Sequence, residues 1–160
     1  MFYTKFDLAG INLTVTATSK GIESILMNDQ SDAPDGYKKL GKQAKEFFGV
    51  YDQLKEYFSG QRRKFDIPLD ITVGTKFQKG VWQQLKKIPY GKTISYKDLA
   101  GKTGNPNAFR AAGSANGKNP IPIIIPCHRV INHNRGLGGF ACGLDVKRKL
   151  LRIEHITWKE

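Results

Sequence analysis

Two hydrophobic periods divide this chain, and together they restrict it to a sheet followed by helices. Apolar residues alternate and break from Phe2 to Leu8, Ile11 to Ala17 and Ile22 to Met27, with turns at Ala9-Gly10 and Ser19-Lys20-Gly21. A period of two predicts strands, and gaps this short predict an antiparallel meander. Asn28 to Tyr37 is a polar loop by composition. Leu40, Ala44, Phe47, Phe48, Tyr51, Leu54 and Phe58 recur at helical spacing, interrupted at Gly49 and stopped at Gly60, so one helix is expected to pack on the sheet. Phe65 to Ile71 looks extended, with Pro68 confining it to an edge. At Val73-Gly74-Thr75 the pattern turns helical, which places a boundary between domains 1–73 and 74–160 of an α/β (α+β) protein.

Charge divides at the same place. The first 75 residues carry ten Lys/Arg and ten Asp/Glu, whereas residues 76–160 carry sixteen and four, so the net +12 lies wholly in the second half. Such asymmetry favours a polyanionic partner, nucleic acid ahead of an anionic membrane. No apolar run approaches the roughly 20 residues that span a bilayer, and residues 1–7 lack the pattern of a secretory signal. A cytoplasmic protein is expected, nuclear in a eukaryote. Two cysteines without a C-x-x-C spacing provide neither a disulfide framework nor a zinc finger.

In the basic half, Phe77, Val81, Trp82 and Leu85 mark one helix face, closed by Ile88-Pro89-Tyr90-Gly91. Thr93-Ile94-Ser95 is short and extended, and Ser95 with Asp98 makes a capping box for a helix through Ala100. After the turn Thr103-Gly104-Asn105-Pro106, a second helix is predicted from about Asn107 to Asn116, giving the outline of a helix-turn-helix. Its Ala108, Ala111, Ala112, Gly113, Ser114 and Ala115 have little bulk, and Arg110 is its long cation. Small residues permit either close approach to a nucleic-acid groove or tight helix packing. A final helix from about Leu144 turns Val146, Leu150 and Ile153 inward, with Glu154 at its inner edge; that carboxylate either finds a partner, a histidine being the economical one, or stays solvated.

The chemistry concentrates at Ile125-Pro126-Cys127-His128-Arg129-Val130, behind the apolar run Ile121 to Ile125, which reads as a buried strand or tight extended segment. An ordinary thiol ionises near a pKa of about 8.5, so a reactive cysteine needs a base or a positive neighbour, and His128 and Arg129 offer both. Adjacent side chains of an extended segment point apart, so His128 reaches Cys127 only across a local bend or through water. The alternative is a cysteine that acts as a small buried hydrophobe. The glycine-rich stretch Ile131 to Gly143 has neither Rossmann nor P-loop spacing and reads as a wall shaped by backbone.

Pro126-Cys127-His128-Arg129-Val130, preceded by Ile88-Pro89-Tyr90-Gly91, Ser95-Tyr96, Gly104-Asn105-Pro106 and Asn119-Pro120, closely resembles the O6-alkylguanine-DNA alkyltransferases, also called methylated-DNA-protein-cysteine methyltransferases. The match runs from about Thr75 to Glu154, while the first half agrees only in general pattern. The resemblance implies a ribonuclease H-like first domain and a mostly helical, winged-helix-like second domain. It implies stoichiometric repair of O6-alkylguanine, and of O4-alkylthymine, with transfer of the alkyl group to Cys127. His128 would be the base acting through water, Glu154 its orienting carboxylate, and Asn119 a hydrogen-bonding neighbour. Tyr96 would donate to the departing guanine; Cys127 and Val130 would read its amino group through the backbone, and Phe140 and Ala141 would line the O6 side. Arg110 would replace the flipped nucleotide, with Ala108, Phe109, Ala111, Gly113 and Ser114 in the minor groove of double-stranded DNA. No cofactor and no metal are implied, and a monomer without membrane attachment is expected.

Phe140-Ala141-Cys142 stands where relatives often have Tyr-Ser-Gly, which removes a hydroxyl from the O6 side. Cys142 is either a passive small residue or an oxidative partner for Cys127. The structural zinc of some relatives is not expected, because residues 1–75 contain no Cys or His. Two rival functions remain at this level: a damage sensor that binds DNA without chemistry, and a Cys-His-Glu hydrolase.

Overall fold

The structure, a computed structural model, describes residues 1–160, which divide into two compact units, Met1–Val73 and Gly74–Glu160. In the first, β1 (Phe2–Leu8), β2 (Ile11–Ala17) and β3 (Ile22–Met27) form the antiparallel meander. Leu8 pairs directly with Ile11, and both intervening residues have positive φ, 52° at Ala9 and 78° at Gly10. That two-residue turn has the twist a right-handed hairpin requires. The two-residue strand β4 (Lys38–Lys39) adds to β1 in parallel, giving the order β3-β2-β1-β4.

Residues 65–71 do lie at an edge. Ile22 bridges Leu69 in parallel, donating to the Pro68 carbonyl at 2.9 Å and accepting from the Asp70 amide at 2.8 Å. Pro68 contributes only its carbonyl, so its missing N–H costs the ladder nothing. The helix expected from Leu40 is shorter: a single 3-10 turn at Lys45–Phe47 precedes α1 (Val50–Phe58). Phe48 (φ 54°) and Gly49 (φ 77°) both adopt the left-handed conformation, which ends one helical path and begins another. Val50, Leu54 and Tyr57 of α1 are fully buried with Leu13, Val15, Ile25 and Phe47, and Tyr51 packs edge-on against Phe6 with ring centroids 5.1 Å apart.

In the second unit α2 (Lys76–Leu85) begins at a capping box of Thr75 and Gln78 and buries Val81, Trp82 and Leu85. Phe77 leaves that face and is 40% exposed. β5 (Ile94–Ser95) runs parallel to β6 (Val130–Ile131), and Ser95 caps α3 (Tyr96–Lys102) with the reciprocal Asp98 contact. α4 starts later than its spacing suggests, at Phe109–Gly117, because Ala108 closes the Asn105-Pro106-Asn107 turn through its amide and serves as the cap. α5 (Leu144–Ile153) buries Val146, Lys147, Leu150 and Leu151 and ends at Glu154, while Ile153 is half-buried.

The apolar run before Cys127 is buried but is not a strand. Ile121, Ile123 and Ile125 are at most 1% exposed, yet Ile125 donates to the Ile121 carbonyl at 2.9 Å and Ile123 has φ 74°. Pro122 within the run and Pro120 and Pro126 on either side of it lack N–H donors, which disfavours a regular strand, and the chain coils into a turn. A β-branched residue at positive φ is strained, and such strain persists only where its surroundings over-determine it.

Candidate active site

Cys127 opens a 3-10 turn, Cys127–Arg129, which supplies the bend the pair requires. Two asparagines hold the approach. Asn119 donates to the Ile125 carbonyl at 2.7 Å and accepts from the Ile121 amide at 3.0 Å, closing the turn on itself. Asn116, on α4, donates to the Cys127 carbonyl at 3.3 Å. The thiol is 5% exposed. Burial pushes it up to about 12, against the opposing pull of the Asn119 side chain and the Lys147 charge. A thiol held so high is protonated at neutral pH and needs a base beside it.

His128 is fully buried, and its Nε2 lies 2.5 Å from Glu154 Oε2. Glu154 is the centre of a wider junction. Its Oε1 accepts from Arg129 Nε at 2.8 Å and from the Gly91 amide at 3.1 Å, and its Oε2 also accepts from Arg129 Nη2 at 3.2 Å. Arg129 Nη1 donates to the Ile88 carbonyl at 2.7 Å, and Tyr90 donates to the Ile153 carbonyl at 3.1 Å. The Ile88-to-Gly91 turn is therefore the floor on which the carboxylate rests. Burial alone would raise the Glu154 carboxyl, but hydrogen bonds and charge from His128 and Arg129 outweigh it and hold the group at about 2. Burial pushes the His128 imidazole down, with Arg129 and Lys147 acting in the same direction and Glu154 opposing. The guanidinium thus neutralises the carboxylate while the imidazole stays neutral. A nitrogen against an ionised carboxylate must carry the ring proton, so Nε2 donates and Nδ1 is the basic nitrogen.

Tyr96 begins α3 and donates to the Gly139 carbonyl at 3.3 Å. Burial raises its phenol, so the hydroxyl remains a donor. Its ring requires a glycine at 138 and touches Gly113. A Cβ on Gly138 would come within 2.7 Å of the ring and hydroxyl, and one on Gly113 within 3.5 Å of the ring. Phe140 and Cys142 are half-buried in the following stretch, Ala141 is exposed, and both cysteines are thiols.

Residues 76–156 match the model of the 6-O-methylguanine DNA methyltransferase DNA-binding domain, and residues 1–71 that of its ribonuclease-like domain. The chain belongs to the 6-O-methylguanine DNA methyltransferase family. It is 54% identical over 102 residues, 64% of its length, to a methylated-DNA–protein-cysteine methyltransferase of Methanosarcina acetivorans, covering 65% of that protein. It is 50% identical over 109 residues, 68% of its length, to the constitutive methyltransferase of Bacillus subtilis, covering 66% of that protein. The matched part is just under two thirds the length of these relatives. The crystal structure of Mycobacterium tuberculosis OGT in complex with DNA superposes with a TM-score of 0.87 at 39% identity, over 96% of this chain and 92% of that one. A sheet-bearing first domain and a helical second domain are therefore the architecture of the family.

Within this methyltransferase fold, Cys127, His128, Glu154, Asn119, Tyr96 and Val130 come together. Arg110, Phe109, Ala111 and Ser114 lie on the exposed side of α4, with Ala108 half-buried at its start. Ala112 and Ala115 face inward, and the Ala115 carbonyl accepts from Trp82 Nε1 at 2.8 Å. The small residues of α4 thus serve tight packing on one face and leave low relief on the other, with Gly113 alongside the Tyr96 ring. Three functional neighbours have no role in the sequence reading of the site: Asn116, Arg129 as the partner of Glu154, and Lys147. Lys147, Leu150, Leu151 and Glu154 fall at i, i+3, i+4 and i+7, so a lysine on the buried face of α5 was visible in the spacing.

Proposed function

We propose that this chain repairs O6-alkylguanine, and O4-alkylthymine, in double-stranded DNA by irreversible transfer of the alkyl group to its own Cys127. The observation that carries the reading is a buried thiol one residue before a buried imidazole whose Nε2 is anchored to the Glu154 carboxylate. His128 Nδ1 takes the Cys127 proton through a water, and Glu154 stabilises the imidazolium that results. The thiolate attacks the alkyl carbon in line, the S–C bond forms, and the C–O6 bond breaks with its electron pair going to guanine. Tyr96 donates a hydrogen bond to a guanine ring nitrogen as that charge develops. Water cannot cleave the thioether under these conditions, so one molecule acts once.

The target base must leave the stack, at a cost of a few kcal/mol that is lower for a damaged pair. The low outer face of α4 suits the minor groove, with Arg110 filling the space of the extruded nucleotide. The positive second unit supplies phosphate contacts that weaken steeply with salt. We read the active form as a monomer, located in the cytoplasm, or the nucleus of a eukaryote.

The test incubates the chain with O6-methylguanine duplex DNA and weighs its peptides. One methyl mass on the peptide that holds Cys127, absent in Cys127→Ala, is the expected result. An unmodified protein on tightly held DNA would indicate a damage sensor instead, and turnover beyond one equivalent a hydrolase.

A further inference from the structure

Lys147 is the one buried ionisable group of the second unit that this mechanism leaves unused. It projects from α5 with no exposed surface, and its Nζ donates to three backbone carbonyls: Val130 at 2.7 Å, Leu137 at 2.5 Å and Gly139 at 3.0 Å. An ammonium has three N–H donors and no acceptor, so three carbonyls saturate it. A neutral amine would keep two donors and aim its lone pair at the third carbonyl. The cage therefore selects the charged form, even though burial pulls the group down to about 8.

The position of the cage matters as much as its chemistry. Val130 directly follows the Cys127–Arg129 turn, and Leu137 and Gly139 belong to the wall across from it. The Gly139 carbonyl accepts from both Lys147 and Tyr96, and the ammonium lies 5.8 Å from the Tyr96 ring and 6.0 Å from the Phe140 ring. One cation thus ties the strand after the nucleophile, the opposite wall and the Tyr96 hydroxyl together. The groups whose charge bears on this space are Cys127, Cys142, His128, Tyr96 and the Glu154–Arg129 pair. Glu154 is already neutralised by Arg129, so the unbalanced negative charge that Lys147 meets is the Cys127 thiolate, which draws on it in turn.

We infer that the Lys147 ammonium is the fixed counter-charge of the Cys127 thiolate and the pin that sets the 137–139 wall against Tyr96, so that Cys127 transfers only while Lys147 is protonated. Resting on the alkyl-transfer reading, this makes Lys147 a positioning residue that keeps all its protons throughout. The thiol proton goes to His128, the S–C bond forms as C–O6 breaks, and the ammonium balances charge that first resides on sulfur and then on guanine.

The experiment measures the single-turnover rate of thioether formation with free O6-benzylguanine from pH 6 to 9.5, which removes DNA binding from the readout. In the wild-type chain the rate should fall above pH about 8, approaching tenfold per unit as the ammonium is lost. Lys147→Met should lose about tenfold or more at neutral pH, the worth of roughly one unit of thiol pKa, and should show no alkaline fall. Lys147→Arg retains a charge that does not titrate in this range, so the alkaline fall should vanish while the neutral rate stays above that of Lys147→Met. A wild-type rate that stays flat to pH 9.5, or the same alkaline fall in both variants, overturns the inference. If Lys147→Met does not fold, the wild-type profile and Lys147→Arg still decide. A wild-type chain that forms no thioether at any pH removes the alkyl-transfer reading itself, which is a different outcome.

Discussion

The two units bury polar groups in opposite ways. In Met1–Val73 the buried polar residues are Thr4, Thr14, Thr16 and Thr18, all neutral; in Gly74–Glu160 they are Asn116, His128, Arg129, Lys147 and Glu154. Desolvating an ion costs several kcal/mol unless hydrogen bonds and opposite charge offset it. The first unit avoids that cost: Glu23, its most connected carboxylate, accepts from Thr16, Tyr37 and Thr72 at 3.0, 2.5 and 3.0 Å but stays partly accessible. The second unit accepts it three times near one thiol, at Arg129, Lys147 and Glu154, and each ion is met by placed partners. A buried junction of this kind cannot rearrange to screen a charge, so it holds one electrostatic state ready for a reaction. The contrast places all of the buried charge in the second unit, where the proposed chemistry lies.

Neutralising one carboxylate in each unit tests the contrast most severely. Glu154→Gln leaves Arg129 buried without its counter-charge and His128 without its anchor. A stability loss of about 3–5 kcal/mol and a transfer rate lower by about 10²–10⁴ are expected, read by denaturant melts and single-turnover kinetics. Glu23→Gln should cost about 1 kcal/mol and leave the rate of transfer unchanged. Equal rate losses in both would abolish the contrast between the units.

Arg110→Ala separates two tasks within the second unit. Repair in duplex DNA should slow about 100-fold, equivalent to the few kcal/mol of base extrusion, while reaction with free O6-benzylguanine changes little. Matching losses on both substrates would remove Arg110 from the flipping step.

Acid should distinguish the units as well. Glu154 is held at about 2, below its ordinary 4.5, so its contribution to stability is complete above that value and is lost as pH falls through about 4.5 toward 2. His128 is depressed below its ordinary 6.5, so folding loses further stability as pH falls below 6.5 and the unfolded chain alone gains that proton. Amide exchange should therefore show α5 and the Cys127 turn losing protection on acidification before β1 to β3 do; simultaneous loss would contradict it.

The smallest effect compares two glycines. Gly36 (φ 85°) has nothing within 4 Å of an added Cβ, so Gly36→Ala should cost only about 1–2 kcal/mol of backbone strain. Gly138 (φ 68°) would drive its Cβ to 2.7 Å from Tyr96, so Gly138→Ala should add a loss of transfer rate to a similar strain. Tyrosine fluorescence and kinetics on the two variants would show whether the wall is as rigid as the Lys147 cage implies.

Local chemistry made several elements legible from sequence. The Ser95-Asp98 capping box, the Ala9-Gly10 hairpin and the helical face of Val81, Trp82 and Leu85 each depend on residues within a few positions of one another. The approach of Glu154 to His128 was also readable, because a carboxylate on the inner edge of a helix demands a partner. Other features escaped for an equally local reason: Ile121 to Ile125 satisfies a strand's composition, but Pro122 inside it and Pro120 and Pro126 beside it withdraw donors on which pairing depends. Leu40 to Phe48 carries helical spacing but forms only the 3-10 turn Lys45–Phe47; the break at Gly49 was readable, whereas the left-handed φ of Phe48 is a backbone choice that hydrophobic period does not record.

By itself, then, the sequence determined the period of each segment, the concentration of positive charge beyond residue 75, and the juxtaposition of Cys127 with His128. Only the tertiary structure decided which charges are buried and who neutralises whom. Arg129 meets Glu154 across 25 residues, and Lys147 reaches Val130 across 17. Those pairings depend on where separate elements end in space, and the energy of a buried charge is set by its nearest few ångströms rather than by its neighbours in the chain.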